Sequence, residues 1–389
     1  MTLSYWQRGE SGATLHCDIA VVGAGIVGTS TAYWLKKYNP SSRVVLIDAA
    51  TVGAGATGRN AGFLLQGAAV DYATDIVKYG SEKAAQLWAF TKENRDLLAT
   101  ELDPEKTGFE ASGSLILAGS LEEKERLVAS YALLHEIGES VHYWSEAEIS
   151  AQIQGKGFAG GLLIESGARV DSQKLVREIA GRSGAILLEH HPVYEITPKG
   201  DHIGVACRNR EVKAARVVCC TNAYLPQLMP EISAFIKPVR AQMLATASCP
   251  DWLPYPVYSH EGYYYIRQLA SGEVLLGGGR HLFVEEELGY DDYTTPQLQA
   301  ALQSYLLQYF PHIAAVRTAF SWSGVMGFTQ DSLPLFAHDN PFPGVSWAAG
   351  FNGHGMGYGF RFGKTIAGTL NDDPEEQANH NLFTFDRLT

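Results

Sequence analysis

The stretch Asp18-Ile19-Ala20-Val21-Val22-Gly23-Ala24-Gly25-Ile26-Val27-Gly28-Thr29 reads as one apolar strand running through a glycine-rich turn into a helix. Gly23 suits the tight strand-to-helix turn, Gly25 suits close approach of a pyrophosphate to the backbone, and Gly28 suits close packing of helix on strand. The spacing predicts a helix from Ile26 to about Tyr38, stopped by Asn39-Pro40. A second strand, Arg43 to Asp48, ends in a carboxylate about twenty residues beyond Gly28, the separation expected of a ribose-hydroxyl acceptor. A dinucleotide therefore falls on Gly23, Ala24, Gly25, Ile26, Val27 and Gly28, with Asp48 and Ala49 at the ribose. The acid at Asp48 disfavours a 2′-phosphate, which leaves NAD or FAD.

Outward from this unit, 389 residues with 46 % hydrophobic content are enough for about two domains with a substantial core. A formal charge of −12 without a basic block disfavours nucleic acid and anionic membrane as partners, so a small-molecule partner is expected. Met1 to Glu10 lacks a long apolar core, and no other window approaches spanning length, so a cytoplasmic location without a membrane span is expected. The five cysteines have no C-x-x-C spacing and read as reduced. His190-His191 read as neighbours on a strand pointing to opposite faces, and no metal site is expected.

The segment Thr51 to Leu65 is rich in small residues and contains Gly58-Arg59-Asn60-Ala61-Gly62-Phe63, which suits a backbone wrapped around a flat ligand with Arg59 and Asn60 pairing with its phosphates. Helical spacing runs from about Ala73 to Leu102 and from Glu122 to Gly138, with a strand at Ser114–Ala118 between them. Further on come a helix at Gln173–Ala180, alternating strands at Pro238–Thr246 and Tyr255–Gly279, and a helix from about Thr295 to Tyr309. The end of the chain carries Trp322-Ser323-Gly324-Val325-Met326-Gly327-Phe328-Thr329-Gln330-Asp331 and Gly350-Phe351-Asn352-Gly353-His354-Gly355-Met356.

Taken together, GAGIVG, a second strand ending in acid, GATGRNAGF and the two carboxy-terminal motifs resemble the superfamily of D-amino-acid oxidase, glycine oxidase and sarcosine oxidase. The resemblance implies FAD, and an α/β fold in which a Rossmann-like βαβ domain (15–75, 160–235 and 320–380) carries an antiparallel-sheet substrate domain (76–159 and 236–319). It further implies cofactor contacts at Thr57, Arg59, Asn60, Ala61 and Gly62, at the backbone of Val193, at Thr221 and Asn222, and at Gly350, Phe351, Asn352, Gly353, His354, Gly355 and Met356. The activity implied is oxidation of a C–N bond in a small amine or amino acid by hydride transfer to flavin N5, giving an imine that hydrolyses, with oxygen or another acceptor taking the electrons.

For the substrate side, alternation puts Tyr263, Tyr265 and Arg267 on one strand face, where with Phe63, Trp322 and His354 they form the candidate catalytic set. Arg267 is a candidate carboxylate binder, with Arg280 and Arg59 as alternatives. Three departures from the resemblance matter. No cysteine stands where sarcosine oxidase attaches its flavin, so FAD is expected to be non-covalent. The carboxylate-binding arginine of glycine oxidase falls on Met326, and the corresponding lysine of sarcosine oxidase on Gly357. The lysine with which sarcosine oxidase activates oxygen falls on Leu275. An amine is therefore favoured over a simple α-amino acid. A dehydrogenase or oxidase subunit using another acceptor, an NAD enzyme, and a flavin-binding module without catalysis stay open, as does the oligomeric state.

Overall fold

A computed structural model describes residues 12, 14–68 and 71–388; the reading of Met1 to Glu10 lies outside the described residues. The opening βαβ unit forms as its sequence dictates: a strand at Leu15–Val22, a helix at Ile26–Tyr38 and a strand at Val44–Ile47 parallel to the first. Its first ten helical residues, Ile26 to Leu35, are all buried, because the sheet covers one side and a second helix the other. Lys36 and Lys37 occupy the last turn, where positive charge complements the carbonyl end.

Two eight-stranded sheets organise the chain. In the first the order is Leu335–Ala337, Val345–Ala349, Arg210–Cys219, Leu15–Val22, Val44–Ile47, Ile186–Leu188, with an antiparallel extension from Val193–Lys199 and His202–Cys207. In the second the order is Thr318–Phe328, Lys237–Thr246, Val274–Gly278, Tyr264–Gln268, Val257–Ser259, Ser114–Ala118, Gly160–Ile164, Val141–Trp144. Neighbours in the second sheet are antiparallel except where Val257–Ser259 meets Ser114–Ala118. The helix Pro296–Tyr309 closes its outer face over Leu244, Val257, Ile266 and Leu276.

The α/β architecture expected from the sequence is present, but its boundaries move. Gly160–Ile164 and most of Thr318–Phe328, read into the cofactor domain, pair in the second sheet, because their apolar runs complete ladders with Ser114–Ala118 and Lys237–Thr246. The long helical stretch after Ala73 breaks at Gly80, whose φ of 85° ends one helix at Tyr79 and starts another at Ser81. That second helix, Ser81–Glu101, was read into the substrate domain; its Leu87, Phe90 and Leu98 pack in the core of the first sheet. Asn94 accepts hydrogen bonds from the backbone N–H groups of Phe360 and Arg361. His190-His191 lie in a turn, not a strand, and His190 has a φ of 59°.

The opening helix runs parallel to the closing helix, Gly355–Leu370, at glycine-limited distance. A methyl group at Gly359 would meet the side chain of Ile26 at 2.6 Å, and one at Gly363 would meet Ser30 Cβ at 2.5 Å and its backbone carbon at 2.6 Å. Contacts advance four residues on each helix together, so both amino-terminal ends lie at the same end of the pair. Gly363→Leu is expected to destabilise the fold by about 3 kcal/mol or more, since backbone must give way, read as a lower urea midpoint at unchanged slope. An unchanged midpoint would mean that the helices are not held this closely.

Candidate active site

The glycine-rich turn is fixed by sterics on its protein side. Gly23 has a φ of 100°, and a Cβ there would sit 2.7 Å from the carbonyl oxygen of Cys220. The opening helix has no side-chain cap from Gly25 and no acid in its first turn. Thr57 Oγ1 accepts from the Ile26 N–H at 2.9 Å. Asp48 stands at the end of its strand, with one carboxylate oxygen accepting from Ala24 N–H at 2.7 Å and the other from Ala50 N–H at 2.8 Å. Burial raises its pKa, and these two N–H donors oppose the rise. Ala49 follows at the surface, and the segment leading to Val193 runs alongside, His191 N–H donating to Asp48 O.

Two further loops converge on the same end. Thr221 Oγ1 is buried with no hydrogen-bond partner. Asn222 adopts a φ of 46° and accepts from Gly350 N–H at 2.9 Å. Gly350, Asn352 and Gly353 all have positive φ, and the loop turns into the closing helix at His354, which caps it without a side-chain bond. Phe351 and Met356 anchor the loop in the core, and Gly355 opens the helix. A helix start with no acid in its first turn, an orphaned buried hydroxyl and a turn whose glycine excludes a side chain fit the phosphates of a dinucleotide.

The Thr51–Leu65 loop behaves differently from its reading. Arg59 and Asn60, expected to meet phosphates, are engaged by protein. Arg59 Nη1 pairs with Asp292 at 2.7 Å and donates to Ser323 O, while its own carbonyl accepts from Trp322 Nε1 at 2.8 Å. Asn60 accepts from Gly62 N–H and Ser172 Oγ and donates to Ala56 and Thr57 carbonyls. Arg267, expected to bind a carboxylate, is 6 % exposed and donates from Nη1 to the carbonyls of Ala61, Gly62 and Val170 at 2.9, 3.4 and 2.8 Å. Burial draws its pKa down to about 10, so it stays charged at neutral pH while sewing the loop to the second sheet.

The inner face of that sheet is the apolar wall. Register brings Trp322 opposite Met243, Met243 opposite Gly277, Gly277 opposite Tyr265 and Tyr265 opposite Tyr258. These residues pack with Ala61, Phe63, Leu65 and Leu275. Tyr265 lies across Gly277, where a Cβ would meet its ring at 2.2 Å. Phe63 meets Tyr258 edge-on at 5.1 Å and Tyr265 at 6.5 Å. Burial pushes the phenol of Tyr265 up to about 12 and that of Tyr258 higher, so both remain donors. Tyr258 was missed; its signal was its register partner Tyr265, invisible before strand pairing is known.

Tyr263 does not join this wall. Glu261 and Gly262 have positive φ, so the turn reaches Tyr263 and the strand begins only at Tyr264; alternation does not extend back to it. Its ring packs instead against His281, with centroids 4.3 Å apart and the planes tilted by 33°. His354 lies 6.3 Å from Tyr258, and burial, assisted by the charge of Arg280, lowers its pKa to about 4. Met326 sits beside Gly353, whose added Cβ would meet its sulfur at 3.5 Å, and a Cβ added at Gly357 would lie 2.8 Å from the Leu65 carbonyl oxygen. Among the described residues no group of three or more His, Cys, Asp or Glu could hold a metal, and no helix is long and apolar enough to cross a membrane.

Residues 18–369 match the family model for FAD-dependent oxidoreductases known as DAO, and the chain belongs to this family. It is similar to gamma-glutamylputrescine oxidoreductase of Escherichia coli K12, 24 % identical over 93 % of this chain and 85 % of that one. It is likewise similar to glycine oxidase of Geobacillus kaustophilus, 24 % identical over 87 % of this chain and 89 % of that one. A crystal structure of glycine oxidase from Bacillus cereus superposes with a TM-score of 0.78 at 18 % identity, covering 93 % of this chain and 97 % of that one, and so shares the fold. The protein is an FAD-binding enzyme of the class that oxidises amines and amino acids.

The depressed His354 pKa has a consequence for stability. Below about 6.5 the unfolded chain takes up a proton that the folded imidazole refuses until about 4, so stability falls as pH drops through that window and levels off beneath it. His354→Gln should flatten this part of a urea-derived stability curve. Parallel curves for variant and parent across the window would show a histidine already protonated in the fold.

Proposed function

We propose that the enzyme oxidises the C–N bond of a small amine or N-substituted amine in preference to a simple α-amino acid, using non-covalent FAD. The observation carrying this reading is the apolar pairing of Met326 with Gly353, at the position where the resemblance would put a carboxylate-binding arginine. A zwitterion's carboxylate left there without a cation would be desolvated and unpaired. The name of the relative gamma-glutamylputrescine oxidoreductase is in keeping with an amine substrate.

The residues that would hold FAD are Gly23 to Gly28, Asp48, Ala49, Thr57, Val193, Thr221, Asn222 and Gly350 to Met356. When bound, the flavin supplies a two-electron acceptor for the C–N bond. The chain's part is to bind, orient and exclude water. Phe63, Tyr258, Tyr265, Leu275 and Trp322 surround the substrate with apolar surface, which favours the neutral amine whose lone pair assists C–H cleavage. The protonated phenols of Tyr258 and Tyr265 offer hydrogen bonds, and Arg267 holds the Ala61–Gly62 backbone against the wall. The neutral imidazole of His354 heads the closing helix, whose amino-terminal end favours negative charge. Leu275 within the wall, in place of a lysine, favours an acceptor other than oxygen as a second reading.

Mixing protein anaerobically with a panel of substrates should bleach the flavin faster with amines than with glycine, sarcosine, proline or D-alanine at equal concentration, by about tenfold or more. If one of those four reacts fastest, the substrate reading is wrong. Acid precipitation should leave all flavin in the supernatant, since Cys219 and Cys220, the thiols nearest the turn, are buried with pKa values driven up by desolvation. Yellow precipitate would refute the non-covalent assignment. Oxygen uptake compared with dye reduction distinguishes the two acceptors.

A further inference from the structure

The arginines around the wall differ in one respect. Arg267 is spent on three backbone carbonyls, Arg59 on Asp292 and Arg240 on the buried carboxylate of Glu287. Arg280 lies just past the strand Val274–Gly278, after the turn residue Gly279, and among the described residues has neither an ion pair nor a side-chain hydrogen bond. Its guanidinium is nevertheless held, lying 4.6 Å from the ring centre of Phe328 and 5.6 Å from that of Tyr263. Contacts with two rings hold the group without neutralising it, leaving its N–H donors available to an anion. It is half-buried, and its charge acts on Tyr265 of the wall and on His354.

We propose that Arg280 is the substrate's anion anchor, and that the substrate is an amine carrying a carboxylate several bonds away from the reacting nitrogen. This rests on the amine-oxidising reading of the site. A planar guanidinium with a free fork of donors matches a carboxylate bidentately. The remote position follows from two facts: the location beside the reacting carbon is apolar at Met326 and Gly353, and Arg280 stands on Phe328, two residues further along the same strand face. The partially desolvated setting makes the pair stronger than a surface salt bridge, and a missing carboxylate would leave an aromatic-stacked cation with no partner.

The test uses the flavin-loaded protein and two kinds of probe. Butyrate, with butyramide as its uncharged match, is titrated while the visible flavin band is followed. The parent should bind butyrate and not butyramide, Arg280→Met should weaken butyrate by about 30-fold or more, and Arg280→Lys should recover part of the loss. In the second arm, anaerobic flavin reduction by 4-aminobutyrate should exceed that by n-butylamine and by 2-aminobutyrate. The advantage over n-butylamine should collapse to a few-fold in Arg280→Met. Equal butyrate affinity in parent and Arg280→Met overturns the anchor, and a preference for 2-aminobutyrate overturns the remote position. If Arg280-dependent butyrate binding persists while no amine reduces the flavin, the anchor stands and the amine-oxidising reading falls.

Discussion

Two parallel helices pressed together at Gly359 and Gly363 set the geometry on which the cofactor end depends. Helices packed this way bring their positive ends side by side, an arrangement that is electrostatically unfavourable in isolation. Here neither helix carries an acid in its first turn. Asp48 brings one carboxylate to the turn ahead of the opening helix, and an anionic cofactor bound at these ends would add further negative charge. Packing that looks wasteful in the protein alone would suit a long anionic cofactor held across two helix ends.

The second constraint is the seam between sheets. The Thr51–Leu65 loop contributes its flexible, small-residue backbone to the cofactor side, and three side chains pin it: Arg267 from the second sheet, Arg59 reaching to Asp292, and Asn60 folded back on its own turn. Polar residues in this loop thus serve rigidity. The apolar side of the seam is left to Phe63 and the wall opposite it.

Local signals were read well and pairing-dependent ones were not. The βαβ unit was legible because strand, turn, helix and acid lie within thirty-odd contiguous residues and each has its own local chemistry. The helix at Ile26–Tyr38 matched residue for residue because Asn39-Pro40 stops it. Tyr263 was misassigned because alternation was extended through a turn whose glycine and positive-φ residues end the strand. Arg59 and Arg267 look in sequence like free cations beside a ligand loop; their partners, Asp292 and three carbonyls, lie more than ninety residues away along the chain. The domain edges expected at Gly160 and Phe320 do not coincide with the sheets for the same reason, since an apolar strand does not disclose which sheet will accept it.

The cysteines have a practical meaning of their own. Desolvation raises the pKa of all five, to about 12 for Cys17 and Cys220, about 11 for Cys207, and upward for Cys219 and Cys249. Desolvation disfavours the reactive thiolate at every one of them, which lowers their reactivity toward alkylating reagents and mild oxidants. A thiol introduced at an exposed position such as Leu307 would be the reactive one. The native molecule is thereby a ready background for attaching a fluorophore, a spin label or an electrode tether at a chosen point.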